Sequence, residues 1–136
     1  MYSAVVYIYW ILFVIAVIAL MSSIGLFLFV SALVLIPVLL LHLAVGIRLS
    51  FLHRRAILVF FSSLNLVSFA LIRPDGVHAI DKNGLTELLD MIDVNLNFQE
   101  EVYHQFLIVS IVLLVIQLGL EVFLLYSSRP TRRIKV

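Results

Sequence analysis

The chain has 136 residues, of which 64% are hydrophobic and only 12% are charged. A soluble domain is about 45 to 50% apolar and about 25% charged, so this composition excludes an ordinary soluble protein. The first 47 residues contain no Asp, Glu, Lys or Arg, whereas a run of about 18 apolar residues already suggests a membrane span. The longest polar stretch, Arg73 to Glu101, is too short to form a hydrophobic core of its own. We therefore expect an integral membrane protein, with residues 1–136 forming a single membrane domain.

Four apolar segments are predicted to cross the membrane as helices. We place the spans near residues 4–22, 25–47, 56–72 and 102–126. One helix over the first 47 residues would be about 70 Å long, more than twice the ~30 Å hydrocarbon core, so it must fold back. The segment 21–25, Met-Ser-Ser-Ile-Gly, is the best place for that turn, and Pro37 is interpreted as a kink within the second span. One long bent first helix is the alternative, and it would give three spans.

The charged residues predict the orientation because they are segregated along the chain. Seven of the eight acids lie in the loop 73–101, whereas the loop 48–55 and the tail 127–136 carry nearly all the cations. The positive-inside tendency then places both termini in the cytoplasm, in a plasma or bacterial inner membrane, with the acidic loop outside. Aromatic residues near the span ends are expected at the membrane interface. These residues are Tyr7, Tyr9, Trp10, Tyr103 and Tyr126.

The acidic outer loop contains one segment with helical periodicity. Apolar residues recur at helical spacing from Leu85 to Leu96, and polar residues occupy the other side. Asn83 and Gly84 precede it and supply a cap. The predicted fold class is therefore all-α, a four-helix transmembrane bundle with a short amphipathic helix in the outer loop.

Polar side chains within the spans are candidates for function because a charge in hydrocarbon is costly. Glu121 is the only acid within a predicted span. His42 lies at a similar depth in the second span, so we predict that the two form an intramembrane pair. Five further residues form a predicted supporting polar face, namely Ser62, Asn65, Ser68, Ser110 and Gln117.

These residues have two interpretations. In the functional one, His42 and Glu121 exchange a proton and the other polar groups line a polar path. In the structural one, they form hydrogen bonds between helices, each worth about 0.6 kcal/mol on average, and so fix the bundle or attach a partner. We favour the structural interpretation because one acid and one histidine are few for a transporter.

Weaker candidate sites lie elsewhere in the chain. Asp75, His78 and Asp81 recur every three residues and could ligate a metal, but a solvated acidic loop is the better interpretation. Ala16, Ala19 and Ser23 form a small-residue face that permits close helix contact. The chain has no cysteine and none of the common catalytic or phosphate-binding motifs. We therefore predict no metal, no cofactor, no small-molecule substrate and no enzymatic activity.

Three functions remain open from the sequence. The favoured one is a non-enzymatic accessory or assembly subunit that binds other membrane proteins or self-associates. The second is a small oligomeric ion or proton channel or transporter that uses Glu121 and His42. The third is a membrane immunity or exclusion protein against a toxin or a DNA-transfer system. The cations lie beside apolar spans without a stripe of interleaved aromatics, so we expect contact with the lipid bilayer and not with nucleic acid.

Overall fold

The computed structural model describes residues 2–22, 26–75 and 82–128, with side chains described for 3–22, 32–74 and 82–128. Five α-helices follow in chain order. They are α1 (Tyr2–Ser22), α2 (Leu26–Ile47), α3 (Ala56–Ile72), α4 (Gly84–Asp90) and α5 (Glu100–Ser127). Two short 3₁₀ turns, Leu49–Phe51 and His53–Arg55, join α2 to α3. The two-residue strands β1 (Pro74–Asp75) and β2 (Lys82–Asn83) pair antiparallel, with Pro74 opposite Asn83.

The prediction of an all-helical chain is confirmed. Among the described residues, three helices are long and apolar enough to cross a membrane: Ser3–Ser22, His53–Ile72 and Glu100–Ser127. Ala32–Ile47, the part of α2 whose side chains are described, is a shorter apolar helix.

The two prolines in the described part of the chain, Pro37 and Pro74, differ in their effect on the helix beside them. Pro37 lies inside α2 and does not end it. Pro74 lies two residues after the end of α3, and Arg73 between them has a ψ of 114°, outside the helical region. A proline disfavours helical geometry at the residue before it, so α3 ends at Ile72.

The helix in the acidic loop is shorter than the predicted 85–96. It starts with a capping box, in which Asn83 Oδ1 accepts from the Thr86 amide at 2.8 Å and the Asn83 amide donates to Thr86 Oγ1 at 2.9 Å. Satisfying these amides at the start of a helix stabilises it.

The predicted extension of this helix to Leu96 is wrong. The helix ends at Asp90, and Asp93 has a φ of 60°, a left-handed conformation that does not continue a right-handed helix. Ile92, on the apolar side of the predicted helix, is 67% exposed. The apolar periodicity therefore predicts too long a helix, because the last residues of the predicted segment contact little of the bundle.

Two aromatic residues predicted at the interface lie inside the protein. The side chains of Tyr9 and Tyr103 are 1% and 2% exposed, whereas Tyr7 is 71% exposed. Tyr103 packs edge-to-face against Phe98 and Phe106, with ring centroids 5.9 Å and 6.2 Å away. The rings of Tyr9 and Tyr103 therefore pack inside the protein, and their position at the membrane interface stays a prediction.

The long helices pack in the order α1, α3, α5, α2 around the bundle. α1 lies mainly against α3, α3 against α5, and α5 against α2, whereas the consecutive helices α1 and α2 touch little. Two groups of buried apolar side chains fill the interior. The α4-side cluster comprises Ala16, Ala19, Leu20, Leu35, Leu66, Val67, Phe69 and Ala70. The arginine-side cluster, beside the segment 48–55, comprises Tyr9, Val45, Leu49, Leu52, Val59 and Leu124.

The predicted small-residue face of α1 contributes to this packing. Ala16 and Ala19 are fully buried in the α4-side cluster, and Ser23 lies outside the described residues. Small side chains let helix backbones approach closely.

Gly84 marks the tightest approach of α4 to the bundle. A Cβ at this position would lie 2.2 Å from the Ala70 carbonyl oxygen and 3.3 Å from the Ala19 carbonyl oxygen. We predict that Gly84→Ala lowers the stability of the protein by roughly 1 to 3 kcal/mol, because backbone must move to admit the methyl group. The measurement is thermal unfolding in detergent, followed by circular dichroism.

Gly119→Ala is the matched control. A Cβ on Gly119 in α5 would meet nothing within 4 Å, and alanine is a better helix former than glycine by about 1 kcal/mol. This variant should be at least as stable as the unaltered chain. Equal unfolding temperatures for Gly84→Ala and the unaltered chain would contradict the close contact of α4 with Ala70.

Candidate functional site

A buried group of polar side chains lies between α2, α3 and α5, with Glu121 at its centre. We call it the Glu121 cluster; it comprises His42, Ser62, Asn65, Gln117 and Glu121. All except the partly buried Asn65 have no exposed surface. Helical spacing explains how α3 and α5 each contribute two residues to the cluster. Ser62 and Asn65 are three residues apart on α3, and Gln117 and Glu121 are four apart on α5, so each pair shares one helix face.

One carboxylate oxygen of Glu121 collects most of the hydrogen bonds. Glu121 Oε1 accepts from Ser62 Oγ and from Gln117 Nε2, each at 2.6 Å. His42 Nδ1 lies 2.6 Å from the same oxygen. An ionised carboxylate oxygen only accepts hydrogen bonds, so the short contact with His42 requires a hydrogen on Nδ1. Three helices are thus joined at a single atom.

Gln117 extends the network towards the middle of the bundle. Its Nε2 donates to Ser62 Oγ at 3.0 Å, and its Oε1 accepts from Asn65 Nδ2 at 2.8 Å. Asn65 Nδ2 also donates to the Leu113 carbonyl oxygen of α5 at 2.9 Å. A second set of bonds therefore ties α3 to α5 beside Glu121.

α1 covers the imidazole of His42 with two aromatic rings. The Tyr9 ring stacks on it at a centroid distance of 4.4 Å and an interplanar angle of 9°, and Phe13 lies 5.3 Å away at 28°. The Tyr9 hydroxyl donates to the backbone oxygen of His42. Our sequence analysis did not assign Tyr9 and Phe13 to the site. Their four-residue spacing, which places both on one helix face, was the available signal.

Gly46 allows α1 to come this close to α2. An added Cβ on Gly46 would lie 2.8 Å from two carbons of the Trp10 ring and 3.0 Å from the Tyr9 ring. The distance to Trp10 is shorter than real Cβ atoms adopt, so a side chain at Gly46 would displace the Trp10 ring and crowd Tyr9, which covers His42.

Two residues of the predicted polar face lie apart from the cluster. Ser110 is buried, and its hydroxyl donates to the Leu107 carbonyl oxygen of its own helix at 2.8 Å. Ser68 is partly buried, and none of the described hydrogen bonds of the cluster includes it. A serine inside a helix can bond the carbonyl of the preceding turn, which removes the need for a partner on another helix.

The Glu121 cluster lies between the two apolar clusters and nearer to the arginines. His42 is six residues before Arg48, which corresponds to about 9 Å along a helix. Tyr9 belongs both to the rings that cover His42 and to the arginine-side cluster. Apolar side chains thus flank the polar group along the bundle axis.

Two atoms of this buried pair are unpartnered in the described part of the chain. They are His42 Nε2 and Glu121 Oε2. A buried polar atom without a hydrogen bond is costly, so each such atom in a folded protein calls for an explanation.

The weaker metal candidate cannot be placed. His78, Asp81 and the side chain of Asp75 lie outside the described residues. Among the residues that the structure does describe, no group of three or more His, Asp or Glu is arranged to hold a metal ion.

No protein-family model, curated protein or solved structure matches this chain. The interpretation of the Glu121 cluster therefore depends on the geometry of the chain itself.

The direct contact between His42 and Glu121 predicts strong energetic coupling. We expect His42→Ala and Glu121→Ala each to destabilise the protein, because each leaves a buried polar group without its partner. The double variant should lose less stability than the sum of the two single losses, by about 0.5 to 3 kcal/mol. The measurement is a double-mutant cycle on the free energy of unfolding in detergent.

Glu100 provides the control for this cycle. Its side chain is 82% exposed and lies at the opposite end of α5 from Glu121. Losses for His42→Ala and Glu100→Ala should add to within about 0.5 kcal/mol. Additive losses for His42 and Glu121 as well would contradict the coupling.

Proposed function

We propose that the chain is a four-span integral membrane protein that acts as a non-enzymatic accessory or assembly subunit and binds other membrane proteins. The observation that carries this proposal is that the polar groups of the Glu121 cluster bond mainly to one another. The cluster holds helices together, and the apolar clusters on both sides of it offer no continuous polar route along the bundle. Binding of another membrane protein would then use the outward-facing sides of the helices.

The length of α2 supports a fourth span. α2 has 22 residues, or about 33 Å at 1.5 Å per residue, which is enough for a hydrocarbon core of ~30 Å. The contacts of the cluster also support alternating helix directions. Tyr9 and Ser62 lie near the starts of α1 and α3, whereas His42 and Glu121 lie near the ends of α2 and α5.

The charges of the connecting segments support the orientation. Arg48, Arg54 and Arg55 lie at the end of the bundle near His42, and α4 with the acidic loop lies at the other end. By the positive-inside tendency we place the arginine end and both termini in the cytoplasm of a plasma or bacterial inner membrane.

The outer faces of α1 and α5 support a role in binding. In the most apolar window of each helix only 22% of the residues are buried inside the chain. Such faces fit lipid or another membrane helix equally well, because membrane helices associate by close packing and not by a hydrophobic gain. A subunit that attaches to larger membrane proteins needs no more than this.

Transport of a proton or ion is the second candidate. It is favoured by the unpartnered Oε2 of Glu121 and Nε2 of His42. A conducting path would need several copies of the chain, since the apolar α4-side cluster occupies the interior beyond the Glu121 cluster.

The topology is tested with a reporter that is active only outside the cytoplasm. We expect activity when the reporter follows Leu85 and none when it follows Arg133, because cations are retained on the cytoplasmic side. Activity only at Arg133 would reverse the orientation. A fusion at the N-terminus separates four spans from three, and activity there would favour three.

The accessory role is tested by purification of the tagged chain in mild detergent. We expect a larger membrane protein to accompany it at fixed stoichiometry, and deletion of the chain to disturb the assembly of that partner. An unrelated tagged membrane protein of similar size is the control. The proposal fails if the chain emerges alone as a defined homo-oligomer that passes protons or ions in liposomes, with the flux abolished by Glu121→Gln.

A further inference from the structure

The bonds of the Glu121 cluster leave one free atom on each member of the central pair. Glu121 Oε1 contacts three donor groups, whereas Oε2 is unpartnered within the described chain. His42 uses Nδ1 for Glu121, and its Nε2 is likewise unpartnered there. Both side chains are 0% exposed. A proton can therefore be added at either free atom without breaking a bond of the cluster.

We propose that His42 and Glu121 form one buried proton-binding site, which takes up and releases a single proton at these free atoms. This role goes beyond the attachment of a partner protein and does not require it. The ligand is the proton itself, delivered by water from the nearer, arginine-bearing end of the bundle.

The uptake step is balanced as a simple proton transfer. A hydronium ion gives its proton to Nε2 of neutral His42, and a water molecule is left behind. His42 becomes an imidazolium with both nitrogens protonated, and its Nδ1 hydrogen already faces Glu121 Oε1 at an N···O distance of 2.6 Å. The net charge of the pair changes from −1 to zero. Release returns the proton from Nε2 to water by the reverse step.

The side chains around His42 and Glu121 carry no charge that would balance this change. The groups in contact with the pair are Tyr9 and Phe13 from α1, Ser62 from α3 and Gln117 from α5, all without formal charge. On the same helix as Glu121, Phe123 carries the guanidinium of Arg55 over its ring, with Cζ 4.7 Å from the ring centre. A net charge in an apolar interior is costly, and uptake of the proton removes the net charge of the pair.

Nitrogen NMR of the histidine rings tests the proposal directly. The chain is labelled with ¹⁵N-histidine, reconstituted in lipid nanodiscs and recorded over a series of pH values, and the signals of His42 are identified by their loss in His42→Gln. We expect both ring nitrogens of His42 to report one reversible titration. Glu121→Gln should reduce the proton affinity of His42 at least about tenfold, since it removes the negative charge beside Nδ1.

Two further variants serve as a control and as a second test. Glu100→Gln changes an exposed carboxylate on the same helix and should leave the titration of His42 unchanged. Ser62→Ala keeps both members of the pair and removes one hydrogen bond to Oε1, so the titration should persist with a shifted midpoint even if Glu121→Gln fails to fold. The proposal is overturned if the His42 signals stay constant over the whole pH range in which the helices persist. It is also overturned if Glu121→Gln folds and its His42 binds the proton as tightly as in the unaltered chain. If Glu121→Gln does not fold, the same result in Ser62→Ala overturns the proposal.

Discussion

The packing of the bundle depends on how the chain satisfies one buried carboxylate. An ionised carboxylate in an apolar interior costs several kcal/mol unless donors surround it. Glu121 Oε1 meets this requirement with Ser62 of α3, Gln117 of α5 and His42 of α2, each at 2.6 Å. Because hydrogen bonds tolerate little error in distance and angle, the bonds from Ser62 and His42 fix the rotation and depth of α3 and α2 relative to α5, while the bond from Gln117 lies within α5 and orients the carboxylate. Apolar contacts alone would leave that register less well defined.

The position of α1 follows from the need to cover His42. Tyr9 and Phe13 stack on the imidazole, and Gly46 provides the space for Trp10 beside them. Further along, α1 uses its small residues to pack on α3, as Ala16 and Ala19 are both fully buried. α1 and α2 therefore meet near His42 and separate beyond it. An apolar groove of about 280 Å³ lies between them there, lined by residues that include Leu20 and Leu39.

The sequence predicts much of this fold because the strongest signals in it are local. The long helices begin and end within two residues of the predicted spans, since arginines, acids and Pro74 bound the apolar segments. The pairing of His42 with Glu121 followed from equal depth alone. The roles of Tyr9 and Ser110 could not be predicted in this way. An aromatic ring near a helix end suits either lipid headgroups or a buried stack, and a helical serine can bond its own backbone, so only the packing of other helices decides.

A cluster that served only to hold helices together would need no ionisable group. An amide at position 121 and another at position 42 could supply the same kind of interhelical hydrogen bond, and such bonds contribute about 1 kcal/mol in membranes without the cost of burying a charge. The chain instead buries a carboxylate and an imidazole and leaves Oε2 and Nε2 unpartnered within the described residues. Stability of the bundle accounts for the three bonds to Oε1 but not for these two atoms. The proton-binding site that we propose would account for both, because each free atom is then a place where the charge of the pair can change while the bonds between the helices remain.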